Sequence, residues 1–158
     1  MPEPVTEGAP APDFDLETAH DRVRSADLKG RAVVLYFYPK DDTTGCTREA
    51  RDFTARAAEF ETAGATVIGV SRDSVASHRK FTDKYALSVH LASDPDGATV
   101  ERYGAWVEKS MYGRKYMGID RSTFLIDGDG VVRRVWRKVK TPGHAAEVLQ
   151  AARALPAA

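Results

Sequence analysis

One thiol carries the nucleophilic chemistry open to this chain. Cys46 is the only cysteine in 158 residues, and it sits in the polar stretch Pro39-Lys40-Asp41-Asp42-Thr43-Thr44-Gly45-Cys46-Thr47-Arg48-Glu49. The thiolate is the reactive form, and an ordinary thiol with a pKa near 8.5 is only about 3% ionised at pH 7. Cys46 falls in the first turn of a predicted helix, where the backbone partial charge favours an anion by about 0.3–1 kcal/mol. Thr43 and Thr44 are placed to cap that turn. Lowering a thiol pKa by two units takes about 2.7 kcal/mol, more than a helix end supplies. A cation must therefore come from elsewhere. Arg121 is the candidate, because it opens a predicted strand beside a loop; Arg48 and Arg51 are nearer in sequence but belong to the helix surface.

A lone cysteine can also be a small buried hydrophobe with no chemistry. The polar flanks argue against that here, as does the strand-to-helix junction, a usual place for a site in an α/β sheet. With one cysteine there is no intramolecular disulfide, no Cys-x-x-Cys pair and no multi-cysteine metal centre. Any redox cycle at Cys46 must end with a thiol from another molecule.

The elements that must hold this stretch read as follows. Phe14 and Leu16 alternate with acids, and Val23 alternates with Arg22 and Arg24, which predicts a short N-terminal β-hairpin turning at 18–21. Ala32–Tyr38 is apolar on both faces, as in a strand covered on two sides, and Pro39 stops it. Ala50, Phe53, Ala57 and Phe60 recur at helical spacing and predict one helix from Gly45 to Ala63-Gly64. A strand over 65–70, a helix over 75–85 capped by Ser74, a strand over 90–93 and a short helix over 98–103 follow. Residues 104–120, with Trp106, Met111, Tyr112, Tyr116 and Met117, read as a long irregular loop packed by its own aromatics. Residues 122–126 and 131–137 form a hairpin about Asp127-Gly128-Asp129-Gly130, and 144–155 a closing amphipathic helix. This order predicts one α/β domain over 1–158, with a central mixed β-sheet flanked by helices.

Composition narrows the function. Lys plus Arg equals Asp plus Glu at 23 each, so no nucleic-acid partner and no polybasic membrane contact is expected. No apolar run is long enough to span a bilayer. The N-terminus lacks the basic and apolar regions of a signal peptide, so the expected location is cytoplasmic. His20, His78, His90 and His144 lack ligand spacing, and no metal and no cofactor is expected. The twelfth position from Asp127 is Lys138 rather than glutamate, which excludes a calcium loop. Arg133, Arg134, Arg137, Lys138 and Lys140 form either a solvated strand face or a docking surface for an acidic reductant.

Pro39-x-x-x-Thr43-x-x-Cys46 resembles the active-site signature of peroxiredoxins. Tyr36-Phe37-Tyr38-Pro39-Lys40-Asp41 and Cys46-Thr47-Arg48-Glu49-Ala50 resemble the bacterioferritin-comigratory (PrxQ) branch, and Arg121-Ser122-Thr123-Phe124-Leu125-Ile126-Asp127 resembles its arginine-bearing strand. The resemblance runs from Gly8 to the closing helix. It implies a thioredoxin-like fold and a thiol-dependent peroxidase acting on hydrogen peroxide and organic hydroperoxides. It implies Cys46 as the peroxidatic thiolate, Thr43 as a hydrogen-bonding partner of the peroxide, and Arg121 as the cation beside thiolate and peroxide. Pro39 would shield the sulfur, the N–H groups of Gly45 and Cys46 would help hold substrate, and Glu49 would orient Arg121. Many members of the branch carry a resolving cysteine five residues after the first; Arg51 stands there in this chain. The implied enzyme is of the one-cysteine type, a monomer or homodimer, reduced by a low-molecular-weight thiol, a thioredoxin or a glutaredoxin. Two other readings stay open: a redox-sensing interaction protein oxidised once at Cys46, and a thioredoxin-fold binding module with an inert Cys46.

Overall fold

The computed structural model describes residues 5–155. A seven-stranded mixed sheet sets its strands side by side in the order 22–24, 15–18, 90–93, 65–71, 32–37, 122–126 and 132–136. The N-terminal hairpin is β1 (Asp15–Thr18) and β2 (Arg22–Arg24), its turn closed by Thr18 N–H donating to Asp21 O. β3 (Ala32–Phe37) and β4 (Ala65–Ser71) are parallel, and β5 (His90–Ser93) continues parallel to β4. β8 (Ser122–Ile126) runs antiparallel to β3, and β9 (Val132–Trp136) antiparallel to β8. The α/β expectation, the mixed sheet and the N-terminal hairpin are all present.

β3 is buried on both faces, because successive side chains point to opposite sides of a sheet. Val34 and Tyr36 pack in a core with α1 (Thr44–Ala55), α2 (Ala57–Thr62), α3 (Val75–Tyr85) and α5 (His144–Arg153). Val33, Leu35 and Phe37 pack in a second core with Val100 of α4 (Ala98–Arg102) and Tyr103. Ser74 caps α3, its Oγ accepting from Ser77 N–H at 3.1 Å.

Two expectations need correction. The single helix predicted from Gly45 to Gly64 breaks at Arg56, which leaves helical geometry at φ −108°, ψ 13°. In a straight helix Phe53 and Phe60 would stand about 10 Å apart along the axis. The break brings their ring centroids to 5.7 Å, both rings fully buried. The irregular loop predicted over 104–120 is instead a two-stranded antiparallel hairpin, β6 (Trp106–Met111) and β7 (Arg114–Ile119), separate from the main sheet. Tyr112 and Gly113 turn it with φ of 52° and 78°, the left-handed pair that matches strand twist in a two-residue turn. Nor does it pack on its own aromatics, since Met111, Tyr112, Tyr116 and Met117 are all exposed.

Candidate active site

Cys46 is the third residue of α1, directly beyond the end of β3 and its following loop, and its side chain is buried. The early N–H groups of a helix have no partner within it, so the backbone about Gly45 and Cys46 presents donors beside the sulfur. Thr43 is the N-cap residue, but neither threonine caps through its side chain. Thr43 Oγ1 instead donates to Lys40 O at 2.8 Å, which corrects the capping expectation. Thr43 and Pro39 are exposed at the surface of this loop.

Arg121 arrives from the short connection between β7 and β8. That connection is pinned on both sides, by Asp120 N–H to Ala105 O (2.7 Å) and Val139 N–H to Arg121 O (2.9 Å). One guanidinium nitrogen, Nη2, lies 3.3 Å from Cys46 Sγ, and the other, Nη1, donates to Glu49 Oε1 at 2.7 Å. The fork thus joins a thiol 75 residues away and a carboxylate 72 residues away. Gly45 makes room for it: a Cβ there would stand 3.1 Å from Nη2. Arg48 and Arg51 are exposed on α1, as expected, and do not reach the sulfur.

The electrostatics are those of a buried pocket, with the Glu49 side chain 1% and the Arg121 side chain 18% exposed. Burial pushes the Glu49 carboxyl up to about 7, with Arg121 pulling the other way. Glu49 Oε2 and Tyr36 Oη are buried with no hydrogen-bond partner among the described residues. Burial opposes the charge of Arg121, yet Glu49 and Cys46 outweigh it and hold that guanidinium above its ordinary value. On the far side, His144 hydrogen-bonds Thr123 Oγ1 through Nε2 at 2.8 Å, and burial, with Arg121 adding, lowers it to about 4.

These two groups oppose each other in pH. Glu49 is raised from 4.5, so its contribution to stability is full below pH 4.5 and lost as pH rises through 7. His144 is lowered from 6.5, so its contribution is full above pH 6.5 and lost as pH falls through 4. Their slopes cancel across the shared window. Urea unfolding between pH 4.5 and 6.5 should therefore show stability falling on acidification in Glu49→Gln, and falling on alkalisation in His144→Gln. The same slope in both variants would refute the assignment.

A second polar cluster holds the loop, and sequence reasoning missed it. Asp41 is buried; its carboxylate accepts from Tyr38 Oη (2.6 Å) and Ser77 Oγ (2.7 Å) and meets His78 Nδ1 at 2.7 Å. Asp41 N–H donates to Asp73 Oδ2 at 2.8 Å. Next to it Asp42, at φ 57°, accepts from Lys84 Nζ and Tyr85 Oη, both at 2.8 Å. Adjacent acids of the Cys46 loop therefore bind opposite ends of α3. Only the pair Asp41-Asp42 was visible as a signal; the partners lie far along the chain.

A family model described as AhpC/TSA matches residues 8–135. A Coxiella burnetii protein named putative peroxiredoxin bcp is 50% identical over 143 residues, covering 90% of this chain and 95% of the relative. Bacillus subtilis peroxiredoxin Bcp is 46% identical over 144 residues, covering 90% and 92%. A mutant of Xylella fastidiosa PrxQ superposes with a TM-score of 0.91 at 38% identity, covering 96% and 98%. The bacterioferritin comigratory protein of Xanthomonas campestris, described for its alkyl peroxide reduction activity, gives 0.85 at 44%, covering 89% and 90%. With a glutamate-held arginine set against a lone thiol at a helix start, and these relatives matching along nearly its whole length, the chain belongs to the AhpC/TSA family as a one-cysteine peroxiredoxin of the Bcp/PrxQ kind.

Proposed function

We propose that this protein reduces hydrogen peroxide and organic hydroperoxides at Cys46 and is returned to the thiol by an external thiol. The observation that carries the reading is the Arg121 fork, one nitrogen 3.3 Å from Sγ and the other on Glu49. The positive charge stabilises the thiolate and faces the oxygen on which charge develops. The Cys46 thiolate attacks one peroxide oxygen: an S–O bond forms, the O–O bond breaks, and the leaving alkoxide or hydroxide takes up a proton. Because the Thr43 hydroxyl hydrogen is engaged by Lys40 O, its oxygen is left to accept from the peroxide O–H. The N–H groups of Gly45 and Cys46 receive the substrate, Glu49 fixes the guanidinium, and Pro39 screens the loop. The Cys46 sulfenic acid then meets a low-molecular-weight thiol, a thioredoxin or a glutaredoxin; without one it is open to further oxidation.

The test is peroxide consumption with a panel of thiols. Cys46→Ser should be inactive; equal rates in variant and wild type would sink the reading. Thr43→Val should lose most of the rate and Thr43→Ser keep it, unless the hydroxyl plays no part. Peroxide turnover limited to one equivalent with every reductant would favour the sensor reading instead.

A further inference from the structure

The large hydrophobic side chains exposed among the described residues are Met111 (56%), Tyr112 (99%), Tyr116 (45%) and Met117 (49%), and all belong to the β6–β7 hairpin. A contiguous exposed apolar patch marks an interaction surface. Register sorts the hairpin into two faces, because residues opposite each other across a strand pair share a side. Lys109 opposes Tyr116, and Met111 opposes Arg114. With Val107 these give one face of apolar and cationic side chains and no acid. The other face carries Met117 opposite Glu108, whose carboxylate is paired with Lys115 at 3.6 Å, so Met117 lies apart from the cationic face. Among the described residues neither Lys109 nor Arg114 joins an ion pair.

The position of this face gives it meaning. β7 ends two residues before Arg121. Lys109, lowered chiefly by burial with Asp120 pulling the other way, is also close enough to feel Arg121 and Cys46. The basic stretch at 133–140 is a poorer docking candidate, because three of its cations are engaged within the chain. Arg133 binds Asp127 (2.6 Å), Arg134 lies over the Trp136 ring (4.7 Å), and Arg137 donates to Val5 O (3.1 Å).

Cys46 is the chain's only cysteine and is 2% exposed. Its reductant must therefore be held at the rim of the site while a foreign thiol reaches in. A small thiol needs no wide apolar platform, whereas a protein does; methionine adapts to its partner's shape and tyrosine supplies anchoring contacts. We propose that the Lys109–Met111–Arg114–Tyr116 face docks an acidic dithiol protein whose nucleophilic cysteine is rimmed by apolar and acidic side chains. The proposal rests on the peroxidase reading. The docked thiolate attacks the sulfenyl sulfur of Cys46: an S–S bond forms, the S–O bond breaks, and hydroxide leaves as water after taking a proton. The partner's second thiol, as thiolate, then attacks the partner sulfur of the mixed disulfide. Cys46 thiolate is released, and the partner departs as a disulfide, oxidised by two electrons.

The experiment uses a thioredoxin of acidic isoelectric point and a glutaredoxin as protein probes, with dithiothreitol as the small thiol. Two variants are compared with wild type: Met111→Ser/Arg114→Gln/Tyr116→Ser, and Tyr112→Asn. Asparagine tolerates the left-handed turn position, so the second variant keeps the hairpin if the first fails to fold. The better protein probe should lose at least tenfold in kcat/KM with the triple variant and about threefold with Tyr112→Asn. Raising the salt should slow that probe with wild type and less so with the triple variant. Rates with dithiothreitol, and single-turnover oxidation of Cys46 by peroxide, should stay within twofold. Equal losses with dithiothreitol, no loss with either protein, or neither protein outpacing dithiothreitol in wild type would each overturn the proposal. So would a hairpin-dependent dimer whose dissociation leaves reductant kinetics unchanged. Failure of Cys46 to react with peroxide at all would be read in the single-turnover arm and would count against the peroxidase reading itself.

Discussion

Arg121→Met should slow the reaction of Cys46 with peroxide by about a thousandfold, at the upper end of what removing one preorganised donor costs. The size follows from the double duty of one guanidinium, which lies 3.3 Å from Sγ and 2.7 Å from Glu49 Oε1. Losing it removes the cation that favours the thiolate and the donor that faces the developing charge. No neighbour can substitute, since Arg48 and Arg51 are exposed on α1. Arg121→Lys should recover little of the rate, because a single ammonium lacks the planar fork that spans both partners. The cost in folding should be far smaller than the cost in rate. Glu49 loses the group that pulled it down, so burial drives its carboxyl further up and it is accommodated as the neutral acid. By linkage, stability of the variant should fall with rising pH over a range extending above 7. Stopped-flow oxidation under excess peroxide measures the rate, and urea unfolding at several pH values measures the second effect. A rate within tenfold of wild type would remove Arg121 from the mechanism.

How much of this site could be read from the chain depends on the range of each signal. Cys46 and the helix behind it are local: a polar loop, a glycine and an apolar stripe announce them. Arg121 is 75 residues from its sulfur, and two kinds of argument found it, the need for a cation and the resemblance of its strand. The β3 pattern gave two-sided burial because alternate residues truly face two cores. What stayed hidden was long-range or geometric. The Arg56 break answers to the meeting of Phe53 and Phe60 rings, which spacing alone does not encode. The β6–β7 hairpin escaped because its side chains are solvated on both faces toward the tip, so apolar and polar residues do not alternate cleanly. Thr43 looked like a cap because threonine is a good one, but the turn at Lys40 takes its hydroxyl. Asp41 and Asp42 read only as part of the polar stretch before Cys46, and the approach of α3 reveals their partners.

Removing either side of the Asp41–His78 contact should lower stability by about 1–3 kcal/mol for each buried polar group it leaves without a partner. His78 is fully buried, and its two nitrogens face Asp41 Oδ2 at 2.7 Å and Ala92 O at 3.0 Å. Both ring nitrogens are thus used inside the core, one on the carboxylate and one on a strand carbonyl. Asp41→Leu leaves that ring, the Tyr38 hydroxyl and the Ser77 hydroxyl without their shared acceptor. His78→Leu leaves a buried carboxylate with two neutral donors. Each single change should lower the urea midpoint strongly, whereas Asp41→Leu/His78→Leu should cost clearly less than the sum, because it removes both members of the contact and leaves neither facing an absent partner. The clamp also bears on the reaction. It lies two residues from Thr43, and with Asp42 on Lys84 and Tyr85 it fixes the loop that presents the first turn of α1. The double variant should therefore recover stability without recovering the rate of Cys46 oxidation. Strictly additive losses in stability would show that the two residues do not act as a pair, and a wild-type oxidation rate in the double variant would show that the loop holds its shape without them.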